Sequence, residues 1–246
     1  MATALCFTAF AVSALVLSLL VLPATRLLPG GAQRRRARAR RLVGLSLRRF
    51  ARLMRSLGVL TYEVEGAERL GRPGQLIIAN HPTLIDGVFL ASLVPEATCI
   101  VKAALARNPI TRGPIAAAGY VSNSPADAML EGAAGALRSG GSVIIFPEGS
   151  RTALGETPQF HRGAAAIALR AAAVVTPVYI WCDPPTLGKR DPWYRVPARR
   201  PQFTLRVGED LDPEPFRGGA PPPLAAREFN QHLLRVFTTE LTRDQP

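Results

Sequence analysis

The first 25 residues carry no charged side chain, and Ala4 to Leu22 form an almost unbroken apolar run. As a helix this run reaches about 28 Å at 1.5 Å per residue, the thickness of a bilayer core. The rest of the chain must either cover such a helix or leave it in lipid. Three readings compete: a cleaved secretory signal, a core helix of the body, and a retained anchor. A signal peptide places its basic residue ahead of the apolar run, whereas here Arg26, Arg34, Arg35, Arg36, Arg38, Arg40 and Arg41 follow it. Arginines beside a membrane span tend to stay on the cytoplasmic side. Residues 1–25 are therefore expected to form a single-pass transmembrane anchor in the cell membrane, with the body of the chain cytoplasmic.

The formal charge of +12 belongs largely to the segment that follows. Between Arg26 and Arg55 there are eleven arginines and no acid, which leaves 19 basic and 18 acidic residues elsewhere, so the body is nearly neutral. Within residues 26–58, Val43, Leu47, Phe50, Met54 and Leu57 recur at steps of four and three between Arg41, Arg48, Arg49, Arg52 and Arg55. This is the pattern of a basic amphipathic helix. Such a helix suits an anionic lipid surface, where each arginine contributes about 1 kcal/mol. It equally suits a helix packed on the body with a solvated charged face. No nucleic-acid recognition motif accompanies the arginines, and no nucleic-acid partner is expected.

Residues 59–246 read as one domain. Short apolar runs at Thr61 to Glu65, Gln75 to Ala79, Thr98 to Val101, Ser142 to Phe146, Val174 to Trp181 and Gln202 to Val207 are expected to be strands. Helices are expected near Leu84 to Leu93, Ile110 to Ala118, Ala126 to Arg138, Gly163 to Ala172 and Leu224 to Leu241. Apolar strands without strict alternation, separated by helices, predict an α/β fold whose mostly parallel sheet is covered by helices. Pro184 to Pro201 reads as a loop, with Trp193 and Tyr194 among Lys189, Arg190, Arg195, Arg199 and Arg200 as residues for a membrane interface. Cys6, Cys99 and Cys182 lie far apart with no C-x-x-C pair, which excludes a disulfide framework or a cysteine metal site built on spacing. Cys99 and Cys182 fall in or beside apolar strands and read as inert core positions. His161 and His232 read as surface or capping residues, and no metal site is expected.

In open α/β sheets, ligands bind beyond the carboxyl ends of the strands. Gln75 to Ala79 runs into Asn80-His81-Pro82-Thr83-Leu84-Ile85-Asp86, and Ser142 to Phe146 runs into Pro147-Glu148-Gly149-Ser150-Arg151. With Pro82 at the first helical position and His81 at the cap, Asp86 would lie inside the helix and reach back to the imidazole. A carboxylate on one imidazole nitrogen fixes the tautomer and leaves the other to take a proton. Backbone N–H groups at that helix start or near Gly149 are the candidates to hold an oxyanion. Arg151 offers a planar fork for phosphate or carboxylate, and Lys102, just after a strand, is a second cation for an anionic ligand. Ser150 lacks the second glycine of a G-x-S-x-G elbow, which argues against a nucleophilic serine.

The pair Asn80-His81-Pro82-Thr83-Leu84-Ile85-Asp86 and Phe146-Pro147-Glu148-Gly149-Ser150-Arg151, in this order and about sixty residues apart, resembles the paired signature of the glycerolipid acyltransferase family, which includes 1-acylglycerol-3-phosphate acyltransferases. The resemblance extends over Lys102, Pro109, Gly113 and Gly119, over Phe160-His161-Arg162-Gly163-Ala164 and over Val175-Thr176-Pro177-Val178, roughly residues 58 to 210. It implies transfer of a fatty acyl group from acyl-CoA or acyl carrier protein to a lysolipid hydroxyl at a bilayer, with no cofactor beyond the thioester co-substrate. It also implies His81 and Asp86 as the catalytic dyad, and Glu148, Gly149, Ser150 and Arg151, with Lys102 and Arg162, on the substrate side. One departure stands out: members acting on lysophosphatidic acid usually have an arginine shortly after the glycine matching Gly119, whereas this chain reads Gly119-Tyr120-Val121-Ser122-Asn123-Ser124-Pro125. A non-phosphate acceptor such as a lyso amino-acid lipid, a membrane-tethered thioesterase and a catalytically silent lipid-binding scaffold are the competing functions.

Overall fold

The computed structural model describes residues 2–152, 156, 158–192 and 194–243; Trp193, singled out above, lies outside the described residues. The sheet has seven strands: β1 Thr61–Glu65, β2 Gln75–Ala79, β3 Thr98–Val101, β4 Val121–Ser122, β5 Val143–Ile145, β6 Val174–Asp183 and β7 Gln202–Val207, in the order β1-β7-β6-β2-β5-β3-β4. Every neighbouring pair is parallel except β6 with β7. Central β2 and β5 are buried along their whole length, as strands covered on both faces must be. β7 alternates between half-buried and buried positions, which marks the less covered end of the sheet.

Nine α-helical stretches surround the sheet among the described residues: α1 Ala2–Val16, α2 Leu22–Ala24, α3 Ala32–Ser56, α4 Asp86–Leu93, α5 Ala103–Arg107, α6 Arg112–Ala118, α7 Ala126–Arg138, α8 Gly163–Ala171 and α9 Pro222–Arg243. On one face, Phe50 and Met54 of α3 and Phe89 and Leu90 of α4 pack on Ile77, Ile144 and Ile180. On the other, α7, α8 and α9 supply Leu137, Ile167, Phe229, Leu233 and Phe237 against Leu76, Ile78 and Val143. The strands fall where the apolar runs lie. Two-residue β4 and five-residue α5 went unexpected, because neither is long enough to display a period.

The amino-terminal helices differ from a free-standing anchor followed by a surface helix. From Ala2 the chain is helical through a π turn at Leu17–Val21 and on to Leu27, the one helix among the described residues long and apolar enough to cross a membrane. It runs antiparallel to α3: the Ser13 and Ser46 hydroxyls are 2.7 Å apart, and Phe10 meets Phe50 at 5.1 Å between ring centroids. The apolar face of α3 is packed on the body, with Val43, Phe50, Ala51 and Met54 buried. A side chain at Gly44 would collide with Pro95, so α3 crosses the end of α4 at close range. Of the two readings of the amphipathic pattern, the packed helix is the one observed for that face. Of its arginines, Arg41 pairs with exposed Glu96 at 2.6 Å, Arg48 donates to the Ser92 carbonyl at 2.8 Å, and half-buried Arg40 reaches in to the Thr98 hydroxyl at 2.7 Å.

Candidate active site

The order β6-β2-β5-β3 sets four parallel carboxyl ends side by side. The loops that leave them carry His81 from β2, Glu148 to Arg151 from β5, Lys102 from β3, and Leu187 to Lys189 from β6. The first loop is tied to β6 by Asn80, whose amide donates to the Ile180 carbonyl at 2.8 Å and accepts from the Ile180 N–H at 2.7 Å.

His81 does not cap a helix. Helix α4 begins at Asp86 itself, four residues later than Pro82. The reason lies in the carboxylate: Asp86 Oδ2 accepts from the Thr83 N–H at 2.7 Å while Oδ1 accepts from the Thr83 hydroxyl, closing a turn ahead of the helix. The same Oδ2 lies 2.8 Å from His81 Nδ1, so the expected contact forms through a turn and not across a helical face. Asp86 is completely buried and the imidazole is 19% exposed, which leaves Nε2 as the nitrogen available to a ligand. The ring stacks on Phe146 with centroids 4.3 Å apart. The N–H groups proposed for an oxyanion at this turn are engaged: Thr83 with Asp86, and Leu84 with the Leu187 carbonyl at 3.0 Å.

The second loop clasps the first. Glu148, 6% exposed, accepts the His81 backbone N–H at 2.9 Å through Oε1, and the Thr152 N–H donates to the His81 carbonyl at 3.0 Å. Burial pushes the Glu148 carboxyl up from its ordinary pKa, opposed by hydrogen bonding from the Thr152 side chain and then by the His81 backbone N–H and ring. Gly149 adopts φ +63° and its N–H donates to the Phe146 carbonyl at 3.1 Å; a β-carbon there would stand 3.1 Å from His161 Cδ2. Here glycine meets both a left-handed backbone and a close approach. His161 thus lies over the loop, exposed, as the surface reading held.

The cations converge from three strand ends. Arg151 Nη1 donates to the carbonyls of Leu187 at 2.9 Å and Gly188 at 2.7 Å. That holds the start of the 184–201 loop, including Leu187 at φ +53°, against the turn that carries His81. The Lys102 ammonium is held below its ordinary pKa by partial burial and by the neighbouring charges of Arg151 and Lys189. Lys189 was read only as part of a basic interface loop; the signal available was its position just beyond the carboxyl end of a parallel strand. Arg162, at the start of α8, is exposed and is not among the charges that face Lys102. Ser150 sits half-buried on the β5 loop.

Behind the imidazole lies an apolar cavity of about 380 Å³, lined among others by Phe7 and Phe10 of α1, Phe50 of α3, Val88 of α4, and Ile115 and Tyr120. His81, Lys102 and Gly149 stand on its wall. Cys99 borders it, and burial pushes both the Cys99 and Cys182 thiols up to about 12, so neither is a thiolate nucleophile at neutral pH. Among the described residues no group of three or more His, Cys, Asp or Glu could hold a metal ion.

The carboxyl end of a mostly parallel sheet thus brings together a carboxylate-held imidazole, a second polar loop clasping it and an apolar cavity behind it. Residues 61–181 match the family model described as Acyltransferase. A curated 1-acyl-sn-glycerol-3-phosphate acyltransferase from Pseudomonas aeruginosa is 28% identical over 132 residues, which cover 51% of this chain and 51% of that protein. The chain thus matches about half the length of that curated relative. The fold is shared with the crystal structure of the 1-acyl-sn-glycerophosphate (LPA) acyltransferase PlsC from Thermotoga maritima. That structure has a TM-score of 0.72 and 23% identity, with 98% of this chain and 96% of that chain covered.

Proposed function

We propose that this chain is a membrane-held O-acyltransferase in phospholipid biosynthesis. It moves a fatty acyl group from acyl-CoA or acyl carrier protein to the hydroxyl of a lysolipid, with 1-acylglycerol-3-phosphate as the favoured acceptor. The observation that carries this reading is the His81 imidazole, bonded through Nδ1 to fully buried Asp86 and standing between an apolar cavity and a cluster of cations. The activity named for the Pseudomonas relative supports it.

In the proposed reaction the acceptor hydroxyl attacks the thioester carbonyl carbon while His81 Nε2 takes its proton, a form of catalysis that contributes about 100- to 10,000-fold. Asp86 stabilises the imidazolium that results. Collapse of the tetrahedral species breaks the C–S bond, and His81 returns the proton to the leaving thiolate. The raised thiols of Cys99 and Cys182 favour direct transfer over an acyl-enzyme. The acyl chain takes the apolar cavity, and Lys102, Arg151 and Lys189 receive the acceptor phosphate. Glu148 acts on His81 through the backbone, as a positioning residue.

Membrane attachment belongs to the same reading. Leu5, Val12, Leu15, Val16, Leu19 and Leu20 remain exposed along the amino-terminal helix. Because this helix lies alongside α3, whose arginines occur near both of its ends, attachment by the exposed face within one leaflet fits better than a full crossing. The arginines favour the cytoplasmic leaflet. Thiol release from acyl-CoA or acyl carrier protein, measured with and without lysolipids of different head groups, tests the proposal. Lysolipid-dependent release is expected. Release that ignores lysolipid would indicate a thioesterase, and no release a scaffold.

A further inference from the structure

The eleven arginines between Arg26 and Arg55 do not all have partners in the fold. Arg38 donates to the carbonyls of Leu28 and Pro29, Arg40 to the Thr98 hydroxyl, Arg41 to Glu96 and Arg48 to the Ser92 carbonyl, and Arg55 lies over the Tyr62 ring. Arg26, Arg34, Arg35, Arg36, Arg49 and Arg52 have no acid within ion-pair distance among the described residues. Three of these six share one place: Arg26, Arg35 and Arg36 line a cavity of about 490 Å³ between the end of the amino-terminal helix, the start of α3 and the back of α6. Leu22, Ala39, Ala116 and Ala117 give that cavity an aliphatic wall, and no acidic residue lines it. Cations held together without a counter-charge repel one another, and an anion placed among them removes that cost.

The position names the kind of anion. The cavity's lining residues Leu22, Thr25 and Arg26 stand at the end of the amino-terminal helix, next in sequence to the exposed side chains of Leu19, Leu20, Leu27 and Leu28. A phosphate there would sit level with lipid head groups, and the aliphatic wall suits the glyceryl and first acyl carbons attached to it. We propose that this cavity is a binding site for the head group of an anionic phospholipid, separate from the acceptor site around His81. An occupant would also touch the active-site wall. Ala116 and Ala117 belong to α6, whose Pro114 and Ile115 line the apolar cavity, and the Arg36 side chain lies against Gly119, 2.9 Å from where a β-carbon would stand.

The inference rests on the membrane attachment proposed above, and its readout does not depend on acyl transfer. Full-length protein in detergent is exchanged with mixed phosphatidylglycerol and phosphatidylcholine micelles, and the bound lipids are counted by native mass spectrometry. Phosphatidylglycerol should be enriched. Arg35→Ala with Arg36→Ala should reduce the enrichment about 10- to 30-fold, given the strength of arginine contacts with anionic lipid. Ala117→Phe, which fills the cavity and leaves the charge unchanged, should reduce it as well. Arg49→Ala with Arg52→Ala removes the same charge outside the cavity and should change it less than about threefold. Equal losses in the two arginine pairs would overturn the site in favour of diffuse attraction. Loss of enrichment in millimolar inorganic phosphate would overturn the lipid as its source. Absence of bound lipid in every form would overturn the inference, while lysolipid-dependent thiol release in the same preparation would keep the enzymatic reading.

Discussion

Replacing Asp86 with asparagine removes one charge from the dyad and little else. Oδ2 serves two donors at once, the Thr83 N–H at 2.7 Å and His81 Nδ1 at 2.8 Å. In Asp86→Asn the amide oxygen therefore takes the Oδ2 position, and the amide nitrogen turns to the Thr83 hydroxyl, which rotates to accept. The turn, the tautomer and the imidazole orientation survive. What is lost is the carboxylate charge facing the imidazolium that forms in the transition state. Two unit charges about 4 Å apart interact by about 4 kcal/mol at an effective dielectric of about 20. Allowing for the amide dipole that remains, about 3 to 4 kcal/mol of transition-state stabilisation should disappear. At about 1.4 kcal/mol per tenfold, turnover should fall about 100- to 1,000-fold. The assay is single-turnover transfer from acyl thioester to lysolipid at saturating acceptor, with the thermal midpoint measured on the same sample. KM should hardly move, because the lost interaction belongs to the transition state. Turnover within about threefold of the parent protein would refute the argument, and so would a rate loss that only accompanies unfolding.

Other consequences follow from the same geometry. Lys189→Ala should raise KM for a phosphomonoester lysolipid about three- to tenfold and leave a zwitterionic lysolipid unaffected; equal changes for both acceptors would exclude Lys189 from the head-group site. Glu148→Gln should change how stability depends on pH. A carboxyl whose pKa is raised by folding stabilises the native state fully below its ordinary value of 4.5, and that contribution is lost as pH rises through the raised value. The parent protein should thus lose stability relative to Glu148→Gln between mildly acidic and neutral pH; parallel denaturation midpoints across that range would contradict it. Gly149→Ala, at φ +63° and against His161, should lower stability by about 1 to 2 kcal/mol in urea unfolding, whereas an unchanged midpoint would show that the loop relaxes freely.

Much of the site is local in sequence, and that is why it was legible. His81 and Asp86 share one turn, so their contact needs only that the chain bend between them, and an error about where the helix begins did not disturb it. The Glu148 loop was recognisable from its polar residues after an apolar run. Its manner of acting was not, because the bond from the His81 backbone to Glu148 depends on β2 and β5 being neighbours. Lys189 was hidden for the same reason. Nothing in the sequence around it marks the end of β6 as lying beside the end of β2, in one row with those of β5 and β3.

The amphipathic period of α3 marks the division between the two kinds of information. Periodicity is a property of consecutive residues, so the sequence alone determined that the pattern from Val43 to Leu57, within residues 26–58, would make a helix with an apolar face, that the apolar runs would be strands, and that the first helix would be long and uncharged. A period states that a face must be covered and is silent about what covers it. Only the tertiary structure decided that the apolar face of α3 rests on the sheet and on α4, that the amino-terminal helix lies against α3 and walls the apolar cavity, and that cations from three strand ends face one another. Those contacts join residues far apart in the chain, and they depend on the strand order of the sheet, which no run of consecutive residues encodes.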